Sequence, residues 1–241
     1  MSQPELNGIV AVDGPSGTGK STTARGLARS LRAAYLDTGA MYRAATSAVL
    51  RAGVSPEDQA EVARVVRESR VVMRMDPEFP EVLLDGGDVG EEIRGEAVTG
   101  AVSAVSAVPE VREVLVSEQR RLITAVTGSG GGVVVEGRDV GTVVVPEAAL
   151  KVYLTASSDA RAQRRSTQDA AAGRASDPQR VHADVSRRDS LDSNRQVAPL
   201  RMAEDAVLVD TTELNVEQVL GRLHELVEGR GLLVASERTG K

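Results

Sequence analysis

Hydrophobic and polar positions divide the chain into two kinds of segment. Short unbroken apolar runs occur at Ile9 to Val12, in "AAYLD" ending at Asp37, in "VVVE" at 133–136, in "KVYLT" at 151–155 and in "AVLVD" at 206–210. Each has the length of a buried strand. Between them the spacing turns helical. From Gly19 to Leu31 the residues Ala24, Leu27, Ala28 and Leu31 fall on one face, and a further helix starts near Gly39. Val111 to about Val126 and residues 215–229 read as amphipathic helices. Strands apolar on both faces and separated by helices predict an α/β fold with a parallel sheet covered on both sides.

Two regions interrupt this alternation. Residues 53–109 contain a helix running into a strand in "EDQAEVARVVRESRVVMRMD", a hairpin around Gly86-Gly87, and Val98, Val102 and Val105 at helical spacing before Pro109. This stretch reads as an insertion. Residues 156–198 are polar and rich in Arg, Asp, Ser and Gln, yet Arg161 to Ala171 and Asp177 to Asp192 keep helical composition. Residues 230–241 are expected to form a loose, disordered tail, and no internal repeat is visible.

Composition narrows the classes. The 241 residues, 41% hydrophobic and 27% charged, suffice for an ample core without covalent staples. With no cysteine there is no disulfide framework and no thiolate ligand or nucleophile. The polar start "MSQPELNG" lacks signal-peptide order, and no apolar run has the roughly 18 residues of a membrane span, so a cytoplasmic protein is expected. A formal charge of −6, with one Phe and no Trp, argues against general nucleic-acid binding. Small-molecule substrates are the expected partners, with no nucleic acid, membrane or obligate protein partner. Lys20, Lys151 and Lys241 are the only lysines, leaving 26 of the 29 basic residues as arginine. Codon bias and bidentate phosphate binding both account for that excess, and position decides between them.

The chemistry begins at "GPSGTGKS". Gly14, Gly19, Lys20 and Ser21 occupy the defined places of GxxxxGK[ST], after a strand and before a helix. Gly14, Pro15, Ser16, Gly17, Thr18, Gly19, Lys20, Ser21 and Thr22 therefore form a candidate ATP site. Backbone N–H groups and the helix N-terminus cradle phosphates, Lys20 reaches the terminal ones, and Ser21 can ligate Mg²⁺ held mainly through ATP. Neither the Asn-Lys-x-Asp guanine clamp of GTPases nor an LSGGQ-like transporter segment occurs, which favours a small kinase.

From Gly8 to Glu228, "DGPSGTGKST", "LDTGAMYR", "EEIR", "VPEVRE", "GRDVGTVV", "ASSDARAQRR" and "NRQVAPL" resemble the bacterial cytidylate kinases in order and spacing. That resemblance implies a P-loop core at 1–37, 111–156 and 196–229, a nucleoside monophosphate insertion at 38–110 and a mobile lid at 157–195. It implies transfer of the γ-phosphoryl of ATP to CMP or dCMP with Mg²⁺. A same-fold kinase for UMP and a nucleotide sensor without transfer are the alternatives.

Acceptor residues follow from the same motifs. "DTGAMYR" offers Asp37, Thr38, Gly39, Tyr42 and Arg43, and the resemblance assigns the acceptor phosphate to Arg43. Ser103 and Arg112 match positions that read cytosine, whose O2 and N3 accept and whose N4 donates. Taken alone, Ser103 is an ordinary small helical residue. Beyond a strand's carboxyl end, Arg138 looks like a phosphate clamp, and Asp139 resembles the family carboxylate that recognises the cytosine amino group. Glu136 reads as an ordinary strand-end residue. Arg161 and Arg165, on one helix face, and Arg164 are expected in the lid over the ATP phosphates. Arg188, Asp192 and Arg195 match family positions for the acceptor phosphate and sugar, while Leu191 stands where many members carry arginine. Lys20, Arg138, Arg161, Arg165 and Arg188 are the expected catalytic set. A base is not required, because a phosphate monoester is largely dianionic at pH 7. Clustering of arginines at strand ends and in the expected lid favours the functional explanation of their excess. His182 and His224 read as ordinary helix residues.

Overall fold

The computed structural model describes residues 4–171, 178–195 and 197–235. Several side chains in the helices around 168–188, that of Arg188 among them, lie outside the described set. The chain opens with β1 (Pro4–Leu6), β2 (Gly8–Asp13), α1 (Lys20–Ser30) and β3 (Ala34–Asp37). Helix α2 (Thr38–Arg51) begins directly after β3, because the Asp37 carboxylate caps it by accepting from the Ala40 N–H at 2.9 Å. Then come α3 (Gln59–Glu68), β4 (Val71–Arg74), β5 (Glu81–Leu84), β6 (Gly87–Asp88) and a 3₁₀ turn at Glu92–Arg94. The tight link between β5 and β6 has Asp85 and Gly86 both at positive φ, 51° and 87°, as a two-residue hairpin requires.

Helices α4 (Glu96–Ala107) and α5 (Pro109–Thr127) meet at Pro109. The sequence pattern places the start of α5 at Val111, but Pro109 is its first residue, where a missing N–H costs nothing. After β7 (Gly132–Glu136) a π-type turn at Val140–Val144 leads to β8 (Leu150–Thr155). The chain continues through α6 (Ser158–Ala171), α7 (Pro178–Asn194), β9 (Val207–Asp210), α8 (Val216–Gly229) and β10 (Leu233–Ala235). Among the described residues no helix is long and apolar enough to cross a membrane.

The main sheet is five-stranded and parallel in the order β3-β7-β2-β8-β9. Its central strand carries Val10, Ala11 and Val12 with no exposed surface, as an apolar run between two covered faces demands. One face packs Val10 and Val12 against Leu27 of α1 and Leu223 of α8. The other packs Ala11, Val133 and Val135 against Ile123 of α5 and Val144. A further hydrophobic cluster joins α2, α3, α4 and the antiparallel β4-β5-β6 sheet through Val49, Val62, Leu84 and Val105. Helix α5 belongs to both: Val111 and Leu115 enter this cluster, whereas Ile123 lies under the main sheet.

The expected loose tail from 230 is corrected over its first residues. β10 pairs antiparallel with β1, Leu6 opposite Leu233, while the Asn7 N–H donates to the Leu232 carbonyl at 2.9 Å. Leu232 and Leu233 pack on the main core, and that burial is what orders the segment. Residues 236–241 lie outside the described residues. Ending the chain after Arg230 removes two half-buried leucines, worth about 2 kcal/mol. The melting temperature should fall by about 4–8 °C in a calorimetric scan; an unchanged value would show that the pairing contributes nothing.

Candidate active site

The carboxyl ends of β2, β3 and β7 open into a cleft of about 1340 Å³. Ligands of open parallel sheets bind at this end, where neighbouring strands send their connections apart. Between β2 and α1 the chain turns through Gly14, at φ 145°, where a Cβ would lie 2.1 Å from the Leu154 carbonyl oxygen. No residue but glycine fits that approach. Gly19, at φ 92°, then starts α1 without a side-chain cap. The first N–H groups of α1 are left for a ligand. Lys20 is buried, and its Nζ donates to the Pro15 carbonyl at 2.6 Å, so the ammonium closes the loop on itself.

Beneath the loop lies a carboxylate that the sequence pattern undervalues. Glu136, at the end of β7, is only 3% exposed. Its Oε2 accepts from the Ser21 hydroxyl at 3.0 Å, its Oε1 from the Tyr35 hydroxyl, and its backbone oxygen from Thr38 Oγ1 at 2.7 Å. Burial, with Asp37 nearby adding repulsion, pushes its carboxyl well above the usual carboxylate range. Burial and the Glu136 charge likewise raise the Tyr35 phenol. A carboxylate closing an otherwise apolar strand was the available signal, since such a group is costly to bury without partners. Asp13, at the end of β2, accepts from the backbone N–H groups of Val140 and Gly141 at 2.9 and 2.7 Å.

Thr211 is a second residue that no motif flagged. Its hydroxyl lies 3.1 Å from the Thr18 carbonyl and 3.0 Å from that of Thr155, and it accepts from Arg164 at 2.9 Å. The Arg164 guanidinium also donates to the carbonyls of Thr211 and Leu214, which joins α6 to the chain after β9.

On the opposite wall the cleft is lined by Asp37, Thr38, Gly39, Tyr42, Arg43 and Ser103, and by Arg138, Asp139, Arg165, Asp192 and Arg195. Ser16 to Thr22 line its loop side. Arg43 donates to the Ile93 carbonyl at 2.7 Å and to Thr99 Oγ1 at 3.0 Å. Burial lowers its pKa to about 10; Asp37 opposes that shift, and the like charges of Arg165, Arg138 and Arg94 add to it. It stays cationic at pH 7. The guanidinium groups of Arg43, Arg94, Arg138 and Arg165, from α2, the 3₁₀ turn, the loop after β7 and α6, all line this cleft. Arg94 is the one that sequence reasoning passed over.

Arg138 Nε pairs with Asp192 at 3.2 Å. Arg195 donates to the Ala198 carbonyl at 2.6 Å and lies 3.8 Å from Asp139, and burial followed by Arg112 repulsion lowers its pKa. Ala198 holds that carbonyl in place at φ 51°, a left-handed conformation that costs an alanine about 1–2 kcal/mol. Arg112 and Arg161 are not on the wall. Arg112 is buried, stacks 5.3 Å from the Tyr42 ring centre and donates to Asp139. Arg161 donates to the Ser16 and Ala156 carbonyls, both at 3.2 Å, and to Asp189. It ties α6 to the phosphate loop. Arg188 lies on α7, but its side chain is outside the described ones.

A glycine loop at a helix N-terminus faces a wall of cations and one buried Arg-Asp pair. A family model described as cytidylate kinase matches residues 10–229. The chain belongs to the cytidylate kinase family. A cytidylate kinase from Rhodococcus jostii (strain RHA1) is 59% identical over 240 residues, covering 100% of this chain and 99% of its own length. One from Corynebacterium diphtheriae is 52% identical over 238 residues, covering 99% and 100%. Among solved structures, an uncharacterized protein from Eubacterium ventriosum shares the fold with a TM-score of 0.50 at 11% identity, covering 92% of this chain and 99% of that one.

Burial raises the Asp13 carboxyl to about 6, against the two N–H bonds it accepts, from an unfolded value near 3.8. A carboxyl raised on folding stabilises most below the unfolded value and loses that contribution as pH rises through the folded one. The Asp13 contribution should therefore fall between about pH 4 and pH 7. Urea unfolding across that window should show stability changing with pH by a more positive slope in Asp13→Asn than in the parent; identical slopes would refute the assignment.

Proposed function

We propose that this chain transfers the γ-phosphoryl group of ATP to CMP or dCMP by direct in-line displacement, giving ADP and CDP or dCDP. The observation that carries the reading is the convergence of Arg43, Arg94, Arg138 and Arg165 on a cleft whose other end is the glycine loop. Cations gathered at mutual electrostatic cost suit two polyanions that must be brought together.

In this reading the loop from Gly14 to Thr22 holds the ATP phosphates, and Lys20 leaves the Pro15 carbonyl for them. Arg43 and Arg138 hold the acceptor phosphate. An oxygen of that dianion attacks the γ-phosphorus while the bond to the β,γ-bridging oxygen breaks, so no proton needs removal. Arg165 and Arg188 add positive charge from α6 and α7, and Arg161 keeps α6 against the loop. The described segments 157–171 and 178–195 would act as a lid, and 38–110 as the acceptor-binding part. Ser103, Asp139 and the Arg112 behind it read the base, Asp139 accepting from the amino group that distinguishes cytosine from uracil. Asp192 and Arg195 would complete the ribose and phosphate contacts.

The oxygen donors at the loop suit a hard cation. The Ser21 hydroxyl, 3.0 Å from a Glu136 oxygen, would hold Mg²⁺ together with the ATP phosphates. When bound, Mg²⁺ supplies charge neutralisation at the phosphate oxygens. The chain's own part is to hold Ser21 by Glu136, and Glu136 by Tyr35.

The test is ADP formation from Mg-ATP with each nucleoside monophosphate in turn. CMP and dCMP should turn over. Turnover with UMP alone would transfer the reading to another acceptor, and none with any acceptor would leave a sensor. Lys20→Ala should lower kcat by roughly 10²–10³-fold with CMP affinity nearly unchanged by calorimetry. Asp139→Ala should erode the preference for CMP over UMP more than it raises KM for ATP; an unchanged preference in competition would remove Asp139 from its role.

A further inference from the structure

A hydroxyl carries one proton, so among several polar neighbours that proton goes where the neighbours' other bonds leave a need. Thr211, just after β9 and 1% exposed, is such a group. Arg164 of α6 lies 2.9 Å from its Oγ1 and can only donate, which fills one lone pair. The Thr155 carbonyl, 3.0 Å away, already accepts the Thr211 N–H at 2.8 Å. The Thr18 carbonyl is 3.1 Å away on an equally buried residue, and among the described residues no backbone N–H donates to it. A buried carbonyl without a donor is costly, so the hydroxyl proton belongs to Thr18.

That carbonyl shares a planar peptide with the Gly19 N–H, and across a trans peptide the two point in opposite directions. Drawing the Thr18 oxygen toward Thr211 therefore turns the Gly19 N–H away from Thr211. Little else fixes this plane. Gly19 stands at φ 92°, a region glycine enters and leaves without steric cost, and no atom lies within 4 Å of where its Cβ would be. The Thr18 side chain is engaged elsewhere, its Oγ1 donating to the Pro15 carbonyl at 3.2 Å. The glycine that lets the loop turn also leaves the peptide free to turn over, and the Thr211 hydroxyl is the group that holds it.

We propose that Thr211 is a positioning residue for the donor: its hydroxyl, polarised by Arg164, holds the Thr18–Gly19 peptide so that the Gly19 N–H is aimed at the ATP phosphates. This rests on the assignment of the glycine loop to ATP. From Arg164 through the Thr211 hydroxyl and the Thr18 carbonyl to the Gly19 N–H, every bond runs from donor to acceptor in one direction. A cation at the head of such a chain strengthens the bonds that follow it. Arg164 is kept at the head by donating also to the Thr211 and Leu214 carbonyls. Its charge acts on the donor through the chain, and a peptide aimed before ATP arrives needs no reorganisation when it binds.

Thr211→Val keeps the shape and removes the hydroxyl, whereas Thr211→Ser keeps the hydroxyl. The Gly19 amide proton is followed by NMR with and without ADP, alongside ATP and CMP affinity by calorimetry and the melting temperature. Adding ADP to the parent should move the Gly19 resonance downfield, as an N–H donating to an anionic oxygen does. The movement should shrink in Thr211→Val and return in Thr211→Ser. Kd for ATP should rise roughly tenfold in Thr211→Val, the worth of one hydrogen bond, and stay near the parent value in Thr211→Ser, with CMP affinity unchanged in both. Arg164→Leu should weaken ATP binding, and the double variant with Thr211→Val should be no worse than Thr211→Val alone, because Arg164 acts through that hydroxyl. A parent Gly19 resonance indifferent to bound ADP, an unchanged Kd for ATP in Thr211→Val, or effects that multiply in the double variant would overturn the inference. So would a Thr211→Val protein that loses ATP and CMP affinity together with its melting temperature, which marks a packing role. If Thr211→Val does not fold, Thr211→Cys, which keeps a weaker donor, takes its place with the same signs expected. A parent that binds no ADP would instead overturn the assignment of the loop to ATP, so the two failures are told apart.

Discussion

Like charges gathered in a cleft repel, and the architecture around this one is organised by how that repulsion is contained without cancelling the charges. The acidic chain, with a formal charge of −6, collects Lys20 and several of its arginines at one end of the sheet. Backbone carbonyls do much of the anchoring. Lys20 is held by Pro15, Arg43 by Ile93, Arg112 by Ser106, Arg161 by Ser16 and Ala156, and Arg195 by Ala198. A carbonyl fixes a guanidinium by one edge of its rigid fork, and the remaining N–H groups keep their donors for phosphate. Full carboxylate pairing would have spent the charge. Where carboxylates do appear, Asp139 holds Arg112 behind the wall, Asp192 orients Arg138 on it, and Asp189 pairs with Arg161.

The same containment explains why the loops after β2, β3 and β7 are so densely tied. Glu136 gathers Ser21, Tyr35 and Thr38, and so links the glycine loop, β3 and the start of α2 through one buried group. Thr211 does the equivalent on the far side, between Thr18, Thr155 and Arg164. In the proposed reading, a shared framework would place donor and acceptor phosphates, and catalysis that depends on positioning and charge needs little else. Helix α5, shared by two hydrophobic clusters, connects the acceptor wall with the underside of the sheet. It carries Arg112, whose guanidinium lies over the Tyr42 ring.

Much of this was open to reading in the residues. Continuous apolar runs announced strands covered on both faces, and β2, β7 and β8 are central or covered as that pattern requires. The glycine loop was legible because GxxxxGK[ST] encodes backbone geometry directly, and Gly14 shows how little room the geometry leaves. A helix starting near Gly39 and a hairpin around Gly86-Gly87 were legible in the residues, and the structure supplies their cause, an Asp37 cap and a turn at positive φ. The strand β10 was not, because three residues in a polar tail are ordered only by Leu232 and Leu233 finding a core built from distant segments.

Within the candidate site, the sequence determined which chemical groups are available and on which kind of element each one sits, since local spacing controls helix faces and loop turns. The tertiary structure alone decided which of them meet. It moved Glu136 from the end of a strand to the centre of the site, set Arg112 and Arg161 behind the wall, and added Arg94 to the cations lining the cleft. The reason is physical: burial and partnership of a charge are properties of contacts between segments 50 to 130 residues apart, such as Arg43 with Ile93 or Val140 with Asp13. No local pattern carries that information.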